Sequence, residues 1–112
     1  MELSSRSEEN LQVVRVHDAR IDAAVAIEFK DEMRAKTDGG SDTVVLDLSA
    51  VEFIDSSGLG AIVAAMKHMG QARKLALAGL TPTVDKVFRL TRMDSVFSVF
   101  PTLDGALTEL KS

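Results

Sequence analysis

Cysteine is absent from the chain, which excludes disulfides, thiolate metal sites and cysteine nucleophiles. Histidine is scarce: His17 and His68 lie far apart and lack any local ligand spacing, which argues against zinc or another metal. Excess positive charge is lacking too. The formal net charge is −4, and the thirteen Lys and Arg residues are scattered rather than gathered into a stripe. Direct nucleic acid binding and docking on an anionic membrane do not fit that distribution. No apolar run approaches the roughly 20 residues of a membrane span, so no membrane insertion is expected. The opening MELSSRSEEN lacks the apolar core of a signal peptide. A cytoplasmic location is the expectation.

What is present is ordinary for a globular protein: 112 residues, 46% hydrophobic and 27% charged. That is enough chain for one hydrophobic core without staples, so residues 1–112 are expected to form one domain.

The chain is organised around Val44 to Gly60, VVLDLSAVEFIDSSGLG. Val44 to Leu48 is nearly all apolar, as a strand buried on both faces reads, and this suggests a parallel central strand. Asp47 breaks the run and needs a hydrogen-bonding partner; it reads as a structural carboxylate. A polar turn follows, with Asp55, Ser56 and Ser57 at the start of a helix. Leu59, Ile62, Val63, Met66 and Met69 trace one face of that helix and Gly70 closes it. The two methionines read as core filler.

Before this segment, Met1 to Glu9 is polar with weak alternation and reads as an edge strand or a frayed end. Leu11 to Val16 reads as a strand; if both are strands they form a hairpin at one edge of a sheet. After a loop at His17 to Arg20, Asp22 reads as an N-cap for a helix carrying Val25, Phe29 and Met33 inward. TDGGSD at Thr37 to Asp42 ends it. Beyond the central helix, Leu75 to Leu80 is a strand. Thr81-Pro82 starts a helix whose buried stripe is Val84, Val87, Phe88 and Leu90 or Thr91. Val96 to Phe100 is the last strand, and Thr102 caps a final helix with Leu103, Ala106, Leu107 and Leu110 inward. Strands alternating with helices predict an α/β fold: a mixed, mostly parallel sheet of four to five strands with about four helices packed on it. Functional loops belong at the strand C-terminal ends. The Asp55 turn lies at such an end, and so does the Asp22 loop if the two strands run parallel. Asp22 and Asp55 would then be neighbours in space.

Ser56 and Ser57 have a plain reading as helix-capping hydroxyls. A serine nucleophile is disfavoured, because it needs a histidine base within reach and the G-x-S-x-G elbow is absent. A phosphate cradle at Gly58 and Gly60 lacks both the P-loop and the dinucleotide-binding pattern. Asp22 and Asp55 would also repel the anion, so weak nucleotide binding stands only as a secondary trait. The third reading is covalent phosphorylation. Phosphoserine adds about −1.5 to −2 charge, and a helix N-terminus tolerates it by about 0.3–1 kcal/mol. Against a partner's acidic group about 8 Å away, each added charge costs about 2 kcal/mol at an effective dielectric near 20. Two such charges amount to about a thousandfold in affinity, enough for a switch that refolds nothing.

VVLDLSAVEFIDSSGLGAIVAAMK resembles the STAS domain, named for sulfate transporters and anti-sigma factor antagonists. The resemblance covers nearly the whole chain: RIDA at Arg20 to Ala23, the Asp-Ser-Ser-Gly motif at Asp55 to Gly58, LALAGL followed by TPTV, and VFSVFPTLDGAL. The small free-standing members are similar to bacterial anti-sigma factor antagonists. What this implies is partner switching without catalysis or cofactor. The unphosphorylated antagonist binds an anti-sigma factor that is itself a serine kinase, and so frees a sigma factor. Phosphorylation of one serine switches binding off, and a PP2C-type phosphatase restores it. By position the phosphoacceptor is Ser57. Asp55 and Ser56 shape its surroundings, Asp22 contributes to the docking surface, and Gly58 and Gly60 keep the turn small. The family usually has glycine where this chain has Ala19, a departure that bears on the Asp22 loop. The alternative is a constitutive docking subunit in a lipid-transport ABC complex or a sensory scaffold.

Overall fold

The structure is a computed structural model that describes residues 1–111. Strand β1 (Leu3–Glu8) turns at Glu9-Asn10 into β2 (Leu11–Val16), and the two pair antiparallel from Leu3 opposite Val16 to Glu8 opposite Leu11. Glu9 takes the left-handed conformation of that turn, with φ of 55°. After β2 come β3 (Arg20–Ile21), α1 (Ala26–Thr37), β4 (Thr43–Asp47), β5 (Phe53–Ile54) and α2 (Ser56–Met69). The remainder is β6 (Lys74–Ala78), α3 (Pro82–Leu90), a 3-10 turn at Met93–Ser95, β7 (Ser98–Phe100) and α4 (Leu103–Leu110). The main sheet has the order β1-β2-β4-β6-β7, and every pairing but the first is parallel. A second, two-stranded parallel sheet pairs β3 with β5.

The unbroken apolar run of β4 has a direct cause. Val44 and Leu46 face one core, with Phe29 and Met33 of α1, Ile62 of α2 and Phe88 of α3. Val45, between them, points through the sheet into a second core closed by Ala106 and Leu107 of α4. A central strand covered on both faces has no solvent side on which to place polar residues. Asp47, at its end, is 3% exposed, and its Oδ1 accepts the Ser49 N–H at 3.0 Å. That supplies the partner its position demands.

Several details differ from the sequence expectation. Asp22 does not cap α1: the helix begins at Ala26, and its N-cap position is Val25, whose side chain makes no capping bond. The carboxylate is instead used in the preceding turn. Leu90 is 74% exposed, so the α3 stripe is Val84 and Phe88 with Val87 half-buried. Thr91 is also exposed; its hydroxyl donates back to the Val87 carbonyl at 2.7 Å. Thr81 stands at the N-cap of α3, but its hydroxyl donates to the Val51 carbonyl at 2.8 Å, tying α3 to the loop before β5. The strand expected through Leu80 stops at Ala78, where Gly79 turns with φ of +73°. The last strand starts at Ser98, because the 3-10 turn takes up the residues before it and leaves Val96 exposed. Thr102 caps α4 as its type suggests, accepting the Gly105 N–H at 3.0 Å.

Candidate functional site

Asp55 is the hinge of the site. Its extended backbone (φ −110°, ψ −174°) ends β5, and its Oδ1 accepts the Gly58 N–H at 2.9 Å. Asp55, rather than either serine, is therefore the N-cap of α2. Its other oxygen, Oδ2, accepts the Ala23 N–H at 3.2 Å. One carboxylate thus fastens the start of α2 to the turn that follows β3. The Gly58 N–H, then those of Ala23 and Ser57, stabilise the ionised form and hold the Asp55 carboxyl below the usual carboxylate range, against a smaller opposing effect of desolvation.

Capping by Asp55 leaves Ser56 and Ser57 exposed on the first turn of α2. Gly58, next along, is buried against β3. A Cβ there would lie 1.9 Å from the Ile21 carbonyl oxygen, so only glycine lets the helix start this close to the small sheet. Gly60 differs: it is exposed, with nothing within 4 Å of a Cβ. The close approach is met at Gly58 alone.

Asp22 sits on the same edge. Its Oδ1 accepts the Ala24 N–H at 3.1 Å, its Oδ2 accepts from Arg20 Nε at 3.1 Å, and its carbonyl accepts the Val25 N–H at 3.1 Å. The fold brings Asp22 and Asp55 together, since Asp55 bonds the residue immediately after Asp22. Ala19 does not disturb this loop. It lies outside the left-handed region, and its carbonyl accepts the Glu52 and Phe53 N–H groups at 2.7 and 3.1 Å.

Two residues of this edge were not singled out from the sequence. The Arg20 guanidinium lies 4.2 Å from the centre of the Phe53 ring, and Phe53 as a residue is 37% exposed. The two residues are register partners in the β3–β5 sheet. The available signal was Phe53 standing next to Ile54 just before the polar turn, and the short strand hid it.

The chemistry open to this edge is limited. His17 Nε2 is paired with Ser4 Oγ at 2.8 Å. His68, near the far end of α2, contacts Arg34 at 3.3 Å and Asp38 at 3.4 Å. Both rings are thus engaged with groups outside the Asp55 turn. The Gly58 N–H, one of the donors a phosphate cradle would use, is taken by Asp55. Among the described residues no cluster of three or more His, Asp or Glu side chains is placed to hold a metal, and no helix is long and apolar enough to cross a membrane.

The STAS domain family matches residues 3–106. The chain belongs to that family. Among its relatives is BtrV of Bordetella bronchiseptica, named as an anti-sigma factor antagonist, 31% identical over 93 residues that cover 82% of this chain and 80% of that protein. The anti-sigma-F factor antagonist RsfB of Mycobacterium tuberculosis is 35% identical over 68 residues, covering 61% of this chain and 56% of that one. The crystal structure of an anti-sigma factor antagonist from Mycobacterium paratuberculosis superposes with a TM-score of 0.88 at 29% identity, covering 99% of this STAS chain and 94% of that one. The five-stranded, mostly parallel sheet with four helices is the STAS fold.

Proposed function

We propose that this STAS chain, acting as one domain over residues 1–112, is a cytoplasmic anti-sigma factor antagonist that works by binding rather than catalysis. In its unmodified form it docks on an anti-sigma factor serine kinase through the Asp22–Asp55 edge and so frees a sigma factor. The observation that carries this reading is the exposed first turn of α2, where capping by Asp55 leaves the Ser57 hydroxyl uncommitted beside two carboxylates. The kinase transfers the γ-phosphoryl group of ATP to Ser57 Oγ, with loss of the hydroxyl proton and release of ADP. A PP2C-type phosphatase hydrolyses the ester and restores the hydroxyl. The added charge and bulk fall on the first turn of α2 and oppose an acidic or closely packed partner group that faces Ser57 itself. The assignment to Ser57 rather than Ser56 rests on its place in the family motif, since both serines are exposed.

The test is the intact mass, with site mapping, of the protein recovered from its own host under several growth conditions. One phosphate confined to Ser57 and varying with condition is expected. No phosphate under any condition, together with a stably co-purifying partner, would replace the switch with constitutive docking.

A further inference from the structure

The outer face of the β3–β5 sheet carries an aromatic ring that the fold leaves partly in water. Phe53 lies two residues before Asp55, and by strand alternation the two share this face. On the neighbouring segment Arg20 stands opposite Phe53, and Asp22 follows the buried Ile21 just past the end of β3. Arg20 holds two contacts at once, with its guanidinium 4.2 Å from the Phe53 ring centre and its Nε 3.1 Å from Asp22 Oδ2. The Arg20 side chain is itself 60% exposed. An exposed cation–π contact and an exposed ion pair are each weak, so a competing group can displace Arg20 from both.

Two carboxylates against one arginine leave this edge net negative, and the ring supplies apolar area. Aromatic residues ringed by polar groups are typical interface anchors. The edge therefore fits a partner loop that presents a basic side chain next to an apolar one. We propose that Phe53 is the apolar anchor of the docking surface and that Arg20 is a displaceable cover over it. On docking, the partner's basic group takes Asp22 Oδ2 from Arg20, and its apolar group takes the uncovered ring. This deepens the antagonist reading and rests on it.

The two residues touch, yet their removal has opposite effects. Phe53→Ser loses the anchor, and affinity falls by about tenfold or more. Phe53→Leu keeps apolar area and stays within about threefold of wild type. Arg20→Ala uncovers the ring and frees Asp22, and affinity rises by roughly twofold to fivefold.

The probe is the anti-sigma factor serine kinase of the host, titrated by calorimetry without ATP so that Ser57 stays unmodified. Thermal unfolding of each variant checks that it is folded. Weaker binding by Phe53→Ser, near-normal binding by Phe53→Leu and tighter binding by Arg20→Ala support the proposal. Unchanged binding by folded Phe53→Ser, or binding weakened by Arg20→Ala, overturns it while leaving the antagonist reading intact. A wild-type chain that no such kinase binds overturns both.

Discussion

A Cβ placed on Gly58 would stand 1.9 Å from the carbonyl oxygen of Ile21, well inside any real contact between such atoms. The first turn of α2, which carries both serines, therefore rests directly on the backbone of β3. Any side chain at position 58 must push the helix away from the strand, and with it the Asp55 bond to Ala23. Gly58→Ala is expected to cost about 1–3 kcal/mol by overpacking, read from urea unfolding. Gly60→Ala, on the same helix but facing open space, is expected to stabilise by up to about 1 kcal/mol through helix propensity. Equal effects at the two positions would show that α2 does not seat on β3.

Asp55 gives the site a pH dependence of known sign. Its carboxyl is held below the usual range, chiefly by the Gly58 N–H. The folded protein therefore binds the proton less readily than the unfolded chain. The stabilisation is present above the unfolded-state value of about 3.9 and is lost as pH falls through the lower folded-state value. Comparing the Tm of wild type and Asp55→Asn should show a constant gap from neutral pH down to about 5. The gap should close in more acid solution. A gap that persists unchanged in strong acid would mean that ionisation of Asp55 is not what holds the two turns together.

Ser57 is on the surface, so its substitution should leave stability within about 0.5 kcal/mol. The effect belongs to binding and modification. Ser57→Ala should bind the kinase and accept no phosphate. Ser57→Asp adds one charge to the first turn of α2, and against an acidic partner group facing position 57 it should weaken binding by about 2 kcal/mol, roughly thirtyfold. Kinase affinity of the Asp variant equal to wild type would remove charge as the basis of the switch.

The α3 helix offers a control on the core. Phe88 is fully buried and meets Phe97 edge to face, with ring centres 6.1 Å apart and planes at 76°. Phe88→Ala should cost about 3–5 kcal/mol. Leu90, at 74% exposure, should tolerate serine within about 0.5 kcal/mol. Chemical denaturation of both variants checks the assignment of the buried face.

Much of this architecture is written in local patterns. The apolar run at Val44 to Leu48 announced a strand covered on both sides, and Val45 facing a different core from Val44 and Leu46 is the reason it reads so. Phe29 and Met33, one helical turn apart, announced the inward face of α1. Ile27 shows the limit of that reading: it is apolar yet 70% exposed, because its angular position on the helix lies beside the buried stripe. Leu90 failed as a core residue for a related reason. It is the last residue of α3, where the chain turns into the 3-10 segment instead of continuing over the sheet.

The sequence by itself determined the order of the five strands of the main sheet and the four helices, most of the faces they bury, and the polar turn at Asp55 to Gly58. These follow from period, side-chain volume and turn chemistry, all of which act over a few residues. Only the tertiary structure decided what that turn is attached to. The strands β3 and β5 have two residues each, too few for a periodic signal, and they exist because the chain folds them side by side. Asp55 then reaches Ala23 across 32 residues, Gly58 is pressed on Ile21, and Arg20 covers Phe53. Strand order already suggests that Asp22 and Asp55 meet if β2 and β4 run parallel, as they do; the bonds that join the two turns run between segments distant in the chain, which no local pattern specifies.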